Sequence, residues 1–275
     1  MARPTEVVFG GPEYRLLHAG GPRGATPLTP HFHDEYVICV QLRGHEECEV
    51  AGRPYGFDEG DVVLINPGQV HTGNARGSAA VEYLSLSIDR AFVRRLALEV
   101  GAPREPEFVR VRVPGDVELV AALRRMWSWA ASADAPIDDP LAAVVGRALE
   151  VHSNLHEPRL LSSQRCAHRD VARALAWLRA HALSPDAPPL TVAALAREAG
   201  LSRFHFLREF SRHVGMTPGA YVRSLRLCHA ARELRSSPRP VAEIARSLGF
   251  ADRRSFTRAF VRHAGVTPTA FRQRA

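Results

Sequence analysis

Apolar residues in the first third of the chain occur in short runs that have the spacing of β-strands. Residues 36–42 and 61–65 are rich in β-branched side chains and are bounded by Gly, Pro or Asn, which is typical of strands. Arg43-Gly44 suits a hairpin turn, and glycines between positions 52 and 73 separate further short segments. Many short strands with regular turns indicate a barrel or a sandwich.

The apolar period changes to that of α-helices after residue 88. Residues 89–100, 116–132 and 139–155 carry apolar side chains three and four positions apart. Each of these segments starts at an Asp, a residue that caps helices well. From Asp170 onward the pattern is helical throughout, whereas residues 157–168 have no clear period. We therefore predict one domain at 1–160 and a second at 170–275, with a linker at 161–169.

An internal repeat in the helical half is the most informative feature of the chain. Ten of the 18 residues from 203 to 220 recur 50 positions later. These ten include Phe206, Arg208, Phe210 and Arg212. Upstream the offset is 49, which pairs Gly200 with Gly249. A recurrence of this kind indicates one supersecondary unit used twice.

Each copy has the pattern of two helices joined by a tight turn. The first copy predicts helices at 192–199 and 203–214, and the second predicts helices at 241–248 and 253–264. Thr191, Ser202 and Asp252 are placed to cap these helices. Gly200 and Gly249 can take the left-handed conformation that the turns require. This is the pattern of a helix-turn-helix; the alternative is a pair of helices that only pack.

Helical-wheel positions predict which face of each second helix is buried. Phe206, Phe210 and Val214, and in the second copy Phe256 and Phe260, form one stripe, as a core-facing side requires. The opposite side is rich in arginine and comprises Phe204, Arg208, Ser211 and Arg212 in the first copy and Arg254, Arg258, Val261 and Arg262 in the second. Arginine can donate two hydrogen bonds to O6 and N7 of guanine, so these faces suit a major groove.

The helix at 218–234 between the two copies would set the distance between the two second helices. On one face of a DNA duplex, successive major grooves lie about 34 Å apart.

The distribution of charge supports a nucleic-acid partner for the second half. Residues 1–164 hold 16 arginines and 22 acidic residues, a net charge of −6, whereas residues 165–275 hold 20 arginines and seven acidic residues, a net charge of +13. An acidic half joined to a strongly basic half indicates that one half meets a polyanion. A solvated basic surface is the alternative interpretation.

Composition argues against several other classes of protein. The longest apolar runs have about five residues, whereas a membrane span needs about 20. Four cysteines in 275 residues are too few for a disulfide framework. The N-terminus lacks the apolar stretch of a signal peptide, so we expect a cytoplasmic protein.

Several motifs of the second half match one family pattern. The second copy carries Ile244-Ala245, Gly249-Phe250, SFTRAF from Ser255 to Phe260, and Thr267-Pro268. The first copy carries Gly200-Leu201-Ser202, Arg208-Glu209-Phe210, Thr217-Pro218 and Tyr221. The half resembles the DNA-binding domain of the AraC/XylS family of bacterial transcription regulators.

The resemblance implies which residues contact double-stranded DNA. Base edges would be read by Phe204, Leu207 and Arg208 in the first copy and by Arg253, Arg254, Ser255, Thr257 and Arg258 in the second. Leu207 is a departure from this pattern: a polar side chain at this position could form a hydrogen bond with a base, whereas leucine cannot. We expect Arg208, Arg253, Arg254 and Arg258 to read bases. Phosphates would be held by Arg212, Arg262 and the helix starts near Thr191 and Ser202. Arg203 is a further residue that we expect to bind DNA.

The first half resembles the cupin-like sensor domain of the same family. The strings that carry this resemblance are HFHDEYVI at 31–38 and GDVVLINPGQVHTGN at 60–74. It implies a small β-barrel with an effector pocket, followed by helices that form a homodimer. The candidate dimer helices are 116–132 and 141–155. Their apolar faces, with Leu119, Leu123, Met126, Trp127, Val144, Val145 and Leu149, could equally cover the barrel.

Histidines and cysteines of the first half are the candidate ligand-binding chemistry. His31, His33 and His71 could bind zinc, iron or nickel, although the glutamate of the enzymatic cupin motif is absent at positions 37 and 38. We expect the effector to contact His31, His33, Glu35, Tyr36, Cys39 and His71. A hairpin at Arg43-Gly44 would place Cys39 opposite Cys48, so a reversible disulfide is a further possibility.

The predicted fold is thus a mainly-β cupin-like domain with trailing helices, followed by an all-α domain with two helix-turn-helix units. We predict a DNA-binding transcription regulator, an activator, controlled by a small-molecule effector. Its partners would be DNA, the effector, a second copy of the chain and RNA polymerase, and no cofactor or enzymatic activity is expected. A metal- or thiol-redox-responsive regulator is the alternative; a metal-dependent cupin enzyme with a DNA-binding tail is a more remote one.

Overall fold

The structure is a computed structural model that describes residues 5–21, 28–73, 80–102, 104–132, 138–155, 169–184, 190–264 and 266–273. Contacts divide the chain into two compact units. The first unit draws on 1–27, 34–69 and 73–164, and the second on 28–33, 70–72 and 165–275. The predicted linker lies outside the described residues, except for Arg169.

The strands that the structure describes are β1 Thr5–Gly10, β2 Tyr14–Gly21, β3 Leu28–His31, β4 Tyr36–Arg43, β5 Glu46–Val50, β6 Arg53–Phe57, β7 Val62–Ile65, β8 His71–Gly73, β9 Val81–Ile88 and β10 Arg112–Val113. The first unit is built on a six-stranded sheet with the order β1-β2-β9-β4-β7-β10. Its pairs are antiparallel, and the register sets His18 of β2 against Leu84 of β9, and Ile38 of β4 against Leu86 of β9 and Leu64 of β7. The strands predicted at 36–42 and 61–65 are therefore confirmed as β4 and β7.

The predicted hairpin at Arg43-Gly44 is wrong. Gly44 does take a left-handed conformation, with a φ of 79°, but β4 pairs with β7 and β9, whereas β5 pairs with β6. Cys39 accordingly lies opposite Val63 and Ser85, and Cys48 lies opposite Tyr55. The turn moves the chain from one sheet to the next, so the two cysteines are not cross-strand neighbours.

The two faces of the six-stranded sheet bury different clusters. Tyr36, Ile38 and Val40 point to a large cluster that also contains the buried faces of three helices. Val37 lies on the other face with Cys39 packed nearby, in a smaller cluster with Val50 and Phe57 of β5 and β6. The alternation of strand residues thus separates two cores on opposite sides of one sheet.

The three helices of the first unit are α1 Arg90–Glu99, α2 Val117–Ala131 and α3 Asp138–His152. Asp89 and Asp116 cap α1 and α2 as predicted, by accepting hydrogen bonds from the N–H groups of Ala91 and Leu119. The helix predicted from Asp139 begins one residue earlier. The apolar faces of α2 and α3 lie in the large cluster, so they cover the sheet, one of the two roles that their sequence allowed.

The described helices of the second unit are α4 Arg169–His181, α5 Val192–Ala199, α6 Arg203–Val214, α7 Pro218–Ser236, α8 Val241–Ser247, α9 Arg253–Ala264 and α10 Pro268–Gln273. The predicted bounds of α5, α6 and α9 are confirmed, and those of α7 and α8 are confirmed within two residues. The predicted fold class is confirmed: a mainly-β domain with trailing helices precedes an all-α domain with two helix-turn-helix units. None of the described helices has the length and apolar character needed to cross a membrane.

The two helix-turn-helix units have separate cores that share one helix. Residues of α4, α5 and α6 form one buried cluster, and residues of α8 and α9 form another. Tyr221 and Val222, near the start of α7, belong to the first cluster, whereas Leu227 and Leu234 belong to the second. The helix predicted to space the two units is thus also part of the core of each.

Candidate nucleic-acid interface

Capping and turn residues fix the geometry of the first helix-turn-helix. The hydroxyl of Thr191 accepts a hydrogen bond of 3.1 Å from the N–H of Ala194 at the start of α5. Gly200 ends α5 in the left-handed conformation with a φ of 69°. Ser202 then starts α6 by accepting a hydrogen bond of 3.4 Å from the N–H of His205. All three roles were predicted from the sequence.

The second helix-turn-helix repeats this geometry with different chemistry. Gly249 has a φ of 74°, and Oδ1 of Asp252 accepts a hydrogen bond of 2.7 Å from the N–H of Ser255. The hydrogen bond from Ser255 lowers the pKa of the Asp252 carboxyl, and the charge of Arg258 lowers it further. Asp252 therefore stays ionised as the cap of α9.

The buried and exposed faces of α6 and α9 agree with the helical-wheel prediction. Phe206, Phe210, Phe256 and Phe260 are fully buried. The predicted DNA-facing side chains are exposed at Ser202, Arg203, Phe204, Arg208, Arg212, Arg253, Arg254, Arg258 and Arg262 and half-buried at Leu207, Ser255 and Thr257. Phe204 is 89% exposed. That each of these side chains contacts DNA stays a prediction.

A buried glutamate distinguishes α6 from α9. The side chain of Glu209 is only 7% exposed, and its carboxylate lies 3.2 Å from Nε of Arg208 and 3.4 Å from Nε2 of His213. Arg212 and His205 approach the same carboxylate at 3.9 Å and 3.7 Å. In α9 the equivalent residue is Ala259. Among the described residues, Arg254, Arg258 and Arg262 form no ion pair with a carboxylate.

Two further arginines support the turns, and sequence analysis missed both. The guanidinium of Arg173, on α4, lies beside Gly200 and donates a hydrogen bond of 2.6 Å to the carbonyl of Glu198. The guanidinium of Arg226, on α7, lies beside Gly249 in the same way. The spacing between these arginines differs from the repeat offset of 49 or 50, so the sequence repeat does not reveal their equivalence.

The three histidines predicted to contact an effector lie together in the second unit. The ring centroids of His31 and His71 are 4.4 Å apart, those of His33 and His71 are 4.8 Å apart, and those of His31 and His33 are 6.2 Å apart. Across the described residues, no group of three or more His, Cys, Asp or Glu side chains has the arrangement to hold a metal ion.

The remaining predicted effector residues are not brought to one place. Tyr36 lies in the large cluster, where its hydroxyl donates a hydrogen bond of 2.6 Å to the carbonyl of Pro106. Burial, together with Glu105, raises its pKa. Cys39 contacts the small cluster on the opposite face of the sheet, and Glu35 is half-buried. That these side chains contact an effector stays a prediction.

The two cysteines of the small cluster are half-buried free thiols. Burial raises the pKa of Cys39 far above its ordinary value, and it raises the pKa of Cys48 to about 12. Both increases include a smaller contribution from nearby Glu46, and that of Cys39 includes one from Cys48. The thiolate is the reactive form of cysteine, and the thiol-redox alternative stays a prediction.

These features define a DNA-binding protein in which a mainly-β half precedes two helix-turn-helix units. Residues 15–149 match the family described as AraC-like ligand binding domain, and residues 195–274 match the family described as helix-turn-helix domain. The chain belongs to the AraC family of transcriptional regulators.

Individual relatives and a solved structure agree with this assignment. The regulatory protein SoxS of Escherichia coli (strain K12) is 34% identical over 83 residues, which cover 30% of this chain and 74% of SoxS. The transcriptional activator RhaS of Escherichia fergusonii is 26% identical over 262 residues, which cover 92% of this chain and 88% of RhaS. The fold is similar to that of fatty acid-bound ToxT from Vibrio cholerae, with a TM-score of 0.54 and 14% identity over 94% of this chain and 95% of ToxT.

Proposed function

We propose that the chain regulates transcription by binding one face of a DNA duplex with α6 and α9, and that α9 makes the main sequence-specific contacts. The observation that carries this proposal is the exposed arginine face of both helices. On α9, Arg254, Arg258 and Arg262 are exposed and form no ion pair within the described part of the chain. They are therefore available to bases and phosphates.

The first reading helix has fewer groups for base readout. Arg208 already donates a hydrogen bond to Glu209, and Leu207 stands where α9 has Thr257, so one polar group is missing. Phe204, at 89% exposure, offers an apolar contact to a thymine methyl group. We infer that α6 contributes affinity and a methyl contact, whereas α9 discriminates among base pairs by hydrogen bonds.

Replacing Arg258 with Ala tests this division of roles. DNA sites are first selected with the full chain. Binding titrations then measure the affinity of the parent chain and of the Arg258→Ala and Arg262→Ala variants for these sites and for sites with single base-pair changes. Arg258→Ala should cost about 1–3 kcal/mol on the selected site and relax the preference at one base pair. Arg262→Ala is the matched control, because a lost phosphate contact weakens binding on all sequences alike.

Two outcomes would contradict the proposal in different ways. An equal loss on all sequences for Arg258→Ala would make Arg258 a phosphate contact. Full sequence preference in a variant that lacks both Arg254 and Arg258 would remove α9 as the main reader.

We propose further that a small molecule bound by the N-terminal domain changes the DNA affinity of a homodimer, which activates transcription. The match to a ligand-binding domain family supports effector control, and ToxT, whose fold is similar, has been solved with a bound unsaturated fatty acid. The relative RhaS is a transcriptional activator. Because the apolar faces of α2 and α3 are buried within the domain, a homodimer would use other surfaces. Sedimentation of the full chain at micromolar concentration tests whether the homodimer forms.

A further inference from the structure

A pocket of about 400 Å³ lies in the first unit between the six-stranded sheet and the last turns of α2. It is lined by His18, Leu42, Glu82, Leu84, Arg124, Trp127 and Ser128. The register places His18 opposite Leu84 on neighbouring strands, and Leu84 points to the large cluster. The pocket is therefore on the helix-covered face of the sheet, opposite to the face that Cys39 contacts. Its volume is in the range of small-molecule sites, about 300–1,000 Å³.

Part of the lining of the pocket is aromatic and part is aliphatic. The ring centroid of Trp127 lies 5.1 Å from that of His18 and 5.0 Å from that of Phe9, so two neighbours hold the indole in place. Leu84 is almost completely buried and Leu42 is half-buried. A fixed indole beside aliphatic side chains favours a flat apolar group, because aromatic stacking adds to the burial of area.

One polar group of the pocket, the guanidinium of Arg124, favours an anion, and the acidic group of the lining, Glu82, lies against His18. Nε2 of His18 lies 2.7 Å from Oε1 of Glu82, and the Ser128 hydroxyl donates to the carbonyl of Arg124 in its own helix. The guanidinium of Arg124 is exposed and has no ion-pair partner within the described part of the chain. Guanidinium groups bind carboxylates through two parallel hydrogen bonds.

From these contacts we infer that the pocket binds a small carboxylic acid with a flat, apolar body. Its carboxylate pairs with Arg124, and its ring or conjugated chain packs against Trp127 above Leu42 and Leu84. This inference deepens the effector control proposed above, and its regulatory consequence rests on that proposal. A neutral sugar would need several donors and acceptors close together, whereas Trp127, Leu42 and Leu84 of the lining offer apolar surface.

The test is a calorimetric titration of the full chain with trans-cinnamate and, as a neutral molecule of the same shape, trans-cinnamamide. The Arg124→Gln variant should bind cinnamate at least about tenfold more weakly, the effect of one lost charge-assisted contact, and should bind cinnamamide as the parent chain does. Arg125→Gln is the matched control, because Arg125 is exposed on the same helix but does not line the pocket. Trp127→Phe should weaken the binding of both compounds.

The outcomes test ligand binding in the pocket separately from the regulatory effect of that binding. No heat of binding with cinnamate up to about 10 mM, a limit that corresponds to very weak association, would overturn the inference. The inference would also be overturned if Arg124→Gln bound cinnamate as tightly as the parent chain, or if Arg124→Gln and Arg125→Gln lost the same affinity for cinnamate. Tighter binding of a neutral hexose than of cinnamate, unchanged in Arg124→Gln, would overturn it as well. If cinnamate binds as expected but leaves the DNA affinity of the chain unchanged, the pocket stands, and effector control through it fails.

Discussion

At the scale of single residues, one buried carboxylate, Glu209, distinguishes α6 from α9. Burial raises the pKa of Glu209, but the hydrogen bond and charge of Arg208, with the charges of Arg212 and His205, lower it by more, so the net pKa lies below its usual value. Glu209 is thus ionised at neutral pH and partly neutralises the cationic face of α6. The residue at this position of α9, Ala259, carries no charge.

Glu209→Gln should increase the affinity of the chain for non-specific DNA. The substitution removes one negative charge and frees Arg208 to contact a phosphate. The slope of log K against log salt should therefore become steeper by up to about 0.9, the value for one phosphate contact. Glu243→Gln is the control, because it removes the same charge from the exposed surface of α8. Fluorescence anisotropy over a salt series measures both variants, and identical slopes for the two would show that overall charge alone matters.

Asp116 predicts a specific dependence of stability on pH. Burial raises the pKa of its carboxyl, but hydrogen bonds from the Leu119 N–H, His152 and Arg147 lower it by more. A carboxyl with a lowered folded-state pKa stabilises the fold above its unfolded pKa of about 3.9. This stabilisation is lost as the pH falls through the folded-state pKa.

Asp116→Asn should therefore lower the stability of the first domain at pH 7 by about 1–3 kcal/mol. Asn retains a capping oxygen but not the charge that faces His152, whose Nε2 lies 2.6 Å from Oδ2. The deficit should shrink as the pH falls below about 4, the unfolded pKa, and through the lower folded-state pKa of the parent carboxyl. Thermal unfolding at pH 7 and below about pH 4 measures this loss of stability, and Asp139→Asn is the control because Asp139 is exposed. A loss that does not change with pH would rule out the charge of Asp116 as its source.

At the scale of elements, the sequence predicts helices better than strand partners. The bounds of α5, α6 and α9 could be predicted because capping and glycine turns are local signals. The partner of β4 could not be predicted, because Arg43-Gly44 suits either a hairpin or a crossing between sheets, and only long-range packing decides between them. The pocket beside Trp127 was missed for the same reason: it needs β2, β4, β9 and α2 together.

The cap of α9 is a measurable element-scale contribution. Asp252→Ala removes the oxygen that accepts from the N–H of Ser255, and should cost about 1 kcal/mol of stability. Asp252→Asn keeps a capping oxygen and should cost only a few tenths of a kcal/mol. Chemical unfolding followed by circular dichroism distinguishes them, and equal losses in the two variants would assign the effect to the carboxylate charge rather than to capping.

At the scale of the whole molecule, charge is divided between the halves, with a net −6 in residues 1–164 and a net +13 in residues 165–275. We expect non-specific DNA binding by the full chain to weaken steeply with salt, because each neutralised phosphate releases counterions. Arg212→Ala and Arg262→Ala should each reduce the salt slope by about one unit. Binding that hardly changes from low to physiological salt would contradict this electrostatic account.

Helix α7 belongs to the buried clusters of both helix-turn-helix units. Its 19 residues form a rod of about 28 Å, at 1.5 Å per residue. A rod that is fixed in two cores offers no hinge by which one reading helix could shift along the duplex relative to the other. Mutations in a target promoter that insert or delete a single base pair between the two contacted segments should therefore abolish recognition, whereas base changes within that spacer should be tolerated. Promoters that this regulator controls would diverge in spacer sequence while keeping spacer length constant.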